Sequence, residues 1–190
     1  SLVHTDVEGK QDARLHPLVR VYMVNGVRHG WPNRAGRRAN RTSEHMLNQL
    51  DPRPVGRALL LALDQWVSKG IDPPPSRVPR IDRGELLSAA DHRDQFPAIP
   101  DYTAEELDFP GLRHPGFNLR PPRVDYGPRF WTEGIQDFVP PKIYGPRFVT
   151  LVPMIDVDAN PIGGIRLPRL SVPLGTNQAF NPRHNNAGAP

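Results

Sequence analysis

The chain has 190 residues, enough for one domain and too few for two ordinary ones. Its 24 basic and 20 acidic side chains leave a net charge of +4, too mild an excess to imply a nucleic-acid partner. It has no cysteine, which excludes disulfides, thiolate metal sites and a cysteine nucleophile, and no apolar run approaches the ~18 residues of a membrane helix.

Hydrophobic residues, at 37%, can supply a core, yet 24 prolines and 16 glycines make up roughly a fifth of the chain against about an eighth on average. Proline is unevenly placed, with 4 in residues 1–70 and 20 in residues 71–190. Each one fixes φ and removes a backbone donor, so long helices and central strands are expected only in the first part. The chain therefore reads as an α/β segment over 1–70 and a Pro-rich, mostly irregular extension over 71–190. Aromatic anchors such as Phe96, Phe109, Trp131 and Tyr144 would dock that extension onto the first part. The opening Ser1-Leu-Val-His-Thr-Asp6 has neither Met nor a signal-peptide pattern and reads as the interior of a longer protein.

The first predicted element is a strand over Val19–Asn25, with apolar residues on both of its faces, so that both should be covered. It ends at the turn signal Asn25-Gly26. A Gly- and Arg-rich loop runs from Val27 to Arg41, after which Thr42 or Ser43 can cap a short helix containing Met46, Leu47 and Leu50. The clearest helix follows. Arg53, preceding a proline, should lie outside the α region, and Pro54 suits the first helical position. Val55, Leu59, Ala62, Leu63, Trp66 and Val67 form one stripe at 3–4-residue spacing, Leu61 falls off it, and Lys69-Gly70 ends the helix. Near the C-terminus, Phe148–Ile155 is β-branched and apolar, but Pro153 demotes it to an edge position. Ile165-Arg166-Leu167 would return as its hairpin partner across the turn-rich 156–164. Tyr-Gly-Pro-Arg-Phe occurs at 126–130 and again at 144–148, which suggests two similar docking turns.

The residue most suited to chemistry is His29. It lies four residues past the predicted strand on a loop flanked by Gly26 and Gly30, with the long helix downstream. A rigid strand that positions an exposed imidazole is what a general base requires. The nucleophile is missing. The serines, at 1, 43, 68, 76, 88 and 171, include none in a G-x-S-x-G elbow, so a partner serine would lie outside this sequence. Asp6 is the upstream carboxylate with a setting suited to a triad acid; a turn or capping role is its other reading. Asp156-Val-Asp158-Ala-Asn160 opens like a calcium loop, but Pro161 and Leu167 stand where Gly and Glu are needed, so it reads as a turn. The histidines show no spacing suited to a shared metal, and no cofactor is expected. Arg34–Arg41 carries four arginines without interleaved aromatics and reads as a solvated loop. Pro73-Pro74-Pro75 and Pro97–Pro100 match polyproline ligands only as well as chance allows in so proline-rich a chain.

Ordered blocks across nearly the whole chain are similar to one family. They are Ser1–Asp6, Val19-Arg-Val-Tyr22, Gly26-Val-Arg-His29-Gly30, Pro54, the Ala58–Val67 helix, Gly70 and Pro73–Pro79. Tyr126-Gly-Pro128, Leu151-Val-Pro153, Asp156–Asn160, Gly164-Ile-Arg-Leu-Pro168 and Val172-Pro-Leu174 continue the series. The sequence resembles the C-terminal part of the alpha/beta hydrolase domain proteins. It departs at Arg28, where the family usually has Gln, and after Leu174, where Gly175–Phe180 replaces Ala-Thr and a Trp-containing stretch.

The resemblance implies the last part of an α/β-hydrolase-type sheet (last strand, His loop, final helix) with a Pro-rich extension carrying a β-hairpin. It implies a serine-type hydrolase acting on a small ester or related acyl substrate, with His29 at the catalytic-histidine position and the elbow serine upstream. The rival expectation is a non-catalytic interaction module using Arg34–Arg41 and the proline segments.

Overall fold

The computed structural model describes residues 4–27, 50–88, 91, 92, 95 and 120–177. Among them the chain is mixed α/β: one long helix, α1 (Arg53–Lys69), two short ones, α2 (Phe130–Glu133) and α3 (Pro168–Ser171), and four two-residue strands. The strands are β1 (Leu86–Leu87), β2 (Val124–Asp125), β3 (Lys142–Ile143) and β4 (Val152–Pro153). β1 pairs antiparallel with β4, and β2 with β3, each as a separate two-stranded ladder. Pro153 therefore sits in an edge strand, as its missing N–H demands.

α1 has 17 residues and ends as predicted, with Gly70 at φ +67° donating its N–H to Trp66 O at 3.1 Å and Lys69 in the last turn. Its start differs from the prediction. Arg53 is helical although Pro54 follows it. The cause is Asp51, whose Oδ1 accepts from Arg53 N at 3.0 Å and from Arg53 Nε at 2.7 Å, holding that residue in the helix. The stripe is only half covered. Val55, Leu59, Ala62 and Trp66 are half-buried, whereas Leu63 and Val67 are exposed, as is Leu61 off the stripe. The covered side meets Leu18–Tyr22, where the Arg20 guanidinium stacks 4.8 Å from the Trp66 ring. A cavity of about 380 Å³ lies between the two segments, lined by Leu18, Val19, Tyr22, Leu59, Trp66 and Pro73.

The predicted Val19–Asn25 strand is realised as an extended segment over Val21–Asn25, flanked laterally by two others. Tyr22 bridges Arg77 and Val24 bridges Ile165, both parallel. Arg77 N donates to Val21 O at 2.9 Å and Met23 N to Arg77 O at 3.0 Å on one side. On the other, Ile165 N donates to Met23 O at 2.7 Å and Asn25 N to Ile165 O at 2.9 Å. Residues 21–24 are half-buried rather than covered on both faces, and Leu18 and Val19 are exposed. The lateral neighbours come from the proline-rich part, so both halves of the chain share backbone hydrogen bonds.

Ile165 is thus not the hairpin partner of 148–155. That role falls to Pro161 and Ile162: Ile155 bridges Pro161, and Ile162 N donates to Met154 O at 3.0 Å. Leu167 instead leads into α3. The two Tyr-Gly-Pro-Arg-Phe copies also diverge. Both glycines have positive φ, +105° at Gly127 and +64° at Gly145. Only the first copy runs into a helix, α2, where Arg129 Nε donates to Asp137 Oδ1 at 2.7 Å. The second continues as extended chain, with Phe148 N donating to Pro121 O at 3.0 Å. Buried apolar side chains among the described residues are Leu50, Val78, Val152 and Leu170. No described helix is long and apolar enough to cross a membrane.

Candidate functional site

His29 lies three residues past Gly26 and falls outside the described residues, as do Arg34–Arg41, Thr42, Ser43, Met46, Leu47 and Pro97–Pro100. The described part of the site is the turn from which the chain departs toward His29. Asn25 and Gly26 form it, as the Asn-Gly signal predicts, with Gly26 at φ +66°.

That turn is clasped by the 156–165 loop through two asparagines with 1% and 0% exposure, Asn25 and Asn160. Asn25 Nδ2 donates to Pro161 O at 2.8 Å and to Gly163 O. Asn160 Nδ2 donates to Asp158 O at 3.3 Å and to Asn177 O, while Asn160 N donates to Asp156 Oδ1 at 2.9 Å. Each side-chain carbonyl, Asn25 Oδ1 and Asn160 Oδ1, is buried without a hydrogen-bond donor among the described residues. Each faces a glycine of the opposite loop instead. A Cβ on Gly26 would stand 2.8 Å from Asn160 Oδ1, and one on Gly164 would stand 2.7 Å from Asn25 Oδ1. Leu50, the first described residue after 49, is buried beside the same spot. Its Cδ1 lies 3.1 Å from the Cβ position of Gly26, with Leu170 Cδ1 at 2.7 Å. Residues 26 and 50 therefore meet, and the stretch between them begins and ends at one packed point.

Asp156 heads the sequence that opens like a calcium loop, and it serves as the acceptor of a turn. Its Oδ1 takes Asp158 N at 3.0 Å and Asn160 N at 2.9 Å, and its Oδ2 takes Arg166 Nη2 at 2.6 Å. Arg166 also donates to Pro161 O and Leu170 O, at 2.8 and 2.9 Å, and so ties the loop to α3.

Asp6 caps its own turn. Its Oδ1 accepts from Lys10 N at 2.7 Å and Gln11 N at 3.1 Å, and Gly9 N donates to Asp6 O at 3.2 Å. Beside that turn, His4 is buried with Nδ1 lacking a partner among the described residues. Its pKa is pushed down chiefly by burial, which the nearby Asp12 carboxylate opposes only in part. Asp12 itself accepts from Ile81 N and Asp82 N, each at 3.0 Å, and Arg80 pairs with Asp82. The Arg80 guanidinium holds the Asp82 carboxyl below its usual range.

Each described serine is held in a structural hydrogen bond. Ser68 Oγ donates to Asp64 O at 2.6 Å, Ser88 Oγ to Asp91 Oδ2 at 2.7 Å and Ser171 Oγ to Arg166 O at 3.4 Å; Ser76 Oγ accepts from Val21 N at 3.0 Å. Among the described residues no three His, Asp or Glu side chains are grouped to hold a metal ion. Sequence reasoning located the turn before His29 but not the clasp on it. Asn160 is legible only as part of a turn, since Gly26, the residue its side-chain carbonyl faces, is more than a hundred positions away.

No curated protein and no solved structure matches the chain. The model of the alpha/beta hydrolase domain does match, over residues 3–189. A match of that extent runs through the His29 segment, the clasp and the proline-rich part alike, and it places the chain in the alpha/beta hydrolase domain family.

Proposed function

We propose that residues 1–190 form the histidine-bearing part of a serine-type α/β hydrolase acting on esters or related acyl compounds, with His29 as the general base. Family membership over residues 3–189 carries the reading. It is supported by the Val21–Asn25 segment, which runs between two parallel neighbours and ends in a buried turn three residues before His29. A general base needs such a firm origin, because proton transfer is effective only from within hydrogen-bond reach of its partner.

The serine belongs to sequence outside these residues, because none of the six serines here stands in a nucleophile elbow. His29 removes the serine hydroxyl proton as the oxygen attacks the acyl carbon, then returns that proton to the departing alcohol. Water then attacks the acyl-enzyme with His29 again taking a proton, which it hands to the serine oxygen as the carboxylic acid leaves.

The test is His29→Ala in the protein that carries the nucleophile. Turnover should fall by at least ~10³-fold, the usual cost of losing a triad base. Unchanged turnover in a folded variant overturns the assignment.

A further inference from the structure

We infer that the exposed strip of α1 is a docking surface for a second copy of this chain, with the two helices antiparallel about a two-fold axis. At ~100° per residue, Leu60, Leu63 and Val67 fall within ~60° of one another and form one line along the helix. They are 67%, 50% and 81% exposed. Gly56, also exposed, continues the line, and its lack of a side chain lets another backbone come close. A contiguous apolar strip on a helix already packed along its other side marks an interaction surface.

The two flanks of the strip decide what fits it. One flank carries Arg57 and Asp64, both exposed and neither with its side chain hydrogen-bonded to another described residue. They stand seven residues apart, ~10.5 Å along the axis, too far to pair within one helix. The other flank is apolar, with Leu59 and Trp66 at the cavity and Leu18 exposed beside them. In an antiparallel pair the charged flanks of the two copies meet in reverse order. Leu60 then stands opposite Leu63 of the second copy, and Arg57 opposite its Asp64, twice over. The apolar flanks meet each other in the same way. A parallel pair would lay the charges of one copy against Leu59 and Trp66 of the other, leaving them unpaired in apolar surroundings. The charge pattern thus selects a second copy and its direction, while burial of the leucines supplies the attraction.

The experiment is sedimentation of the 190-residue chain over a concentration series, in which the parent should double its mass. Arg57→Asp alone makes both charged contacts acid against acid, and Asp64→Arg alone makes them base against base. Each should weaken the dimer at least ~10-fold. An equal mixture of these two variants restores opposite charges at both contacts and should dimerise within about threefold of the parent. Leu60→Gln should weaken the dimer ~10-fold, whereas Leu61→Gln, the same change ~100° round the helix, should do so by less than threefold. All these positions are exposed, so circular dichroism should show the helix content of the parent. The leucine pair keeps the test readable if a charge variant loses its helix.

A parent that stays monomeric overturns the proposal, as does a dimer indifferent to the single charge changes or a mixture no tighter than its components. Equal losses in Leu60→Gln and Leu61→Gln also overturn it. So does a monomeric nucleophile-bearing protein, since its other segments would then be what covers α1.

Discussion

Arg166 donates from Nη2 to Asp156 Oδ2 at 2.6 Å, and through this pair the 156–160 turn, α3 and the clasp on Gly26 become one unit. Both side chains are 23% exposed, so the pair is only partly screened by water. Arg166→Met should therefore destabilise the loop by about 1–3 kcal/mol, because it strips a half-buried carboxylate of its partner and two carbonyls of a donor. Amide exchange at Asn160 and Ile165 should speed up accordingly. Asp156→Asn combined with Arg166→Met should cost less than the two single changes added together.

Gly26 and Gly70 share a left-handed backbone, at φ +66° and +67°, in opposite surroundings. A Cβ on Gly70 meets nothing within 4 Å. Gly70→Ala should cost only the backbone strain, about 1–2 kcal/mol. Gly26→Ala adds a collision with Leu170 and Asn160 and should cost a further ~1–3 kcal/mol. Local exchange at Trp66 for the first and at Asn25 for the second checks the order; equal costs would show that the clasp does not press on Gly26.

Burial lowers the His4 pKa below its ordinary 6.5. Below that value the unfolded chain binds more protons at this position than the folded one, so stability rises with pH there and is lost on acidification. Local opening around residues 4–13 should become easier as the pH falls below about 6.5. The reporter is Ala13, whose N–H donates to His4 O at 2.9 Å. His4→Gln should flatten the pH dependence of its exchange.

Asp6→Asn keeps the Oδ1 acceptor that caps Lys10 and Gln11. Turnover of the nucleophile-bearing protein should drop by about tenfold or less, whereas a true triad acid changed to Asn loses about 10⁴-fold. A loss on that larger scale would identify Asp6 as the acid.

Residues 1–190 alone should hydrolyse p-nitrophenyl acetate no faster than background. A free imidazole gives weak general-base help without an activated serine. Turnover that disappears in His29→Ala would show that these residues suffice for catalysis.

Elements whose causes are local can be read directly from the residues. α1 is legible because its apolar period, Lys69 and Gly70 act within a few residues of one another, and the Asn25-Gly26 turn because an asparagine and a glycine favour it unaided. Pro153 announces an edge strand by the donor it lacks. Which segments lie side by side emerges only once the chain is folded. Ile165 looks like a hairpin partner for 148–155, yet its N–H and C=O go to Met23 and Asn25. Arg53 is helical against the rule for residues before proline because Asp51 holds it. The clasp joins residues 136 and 138 positions apart, Asn25 to Pro161 and to Gly163. Such contacts leave no periodic trace, since a hydrogen bond between distant segments depends on where the intervening chain returns and not on the spacing of residues along it.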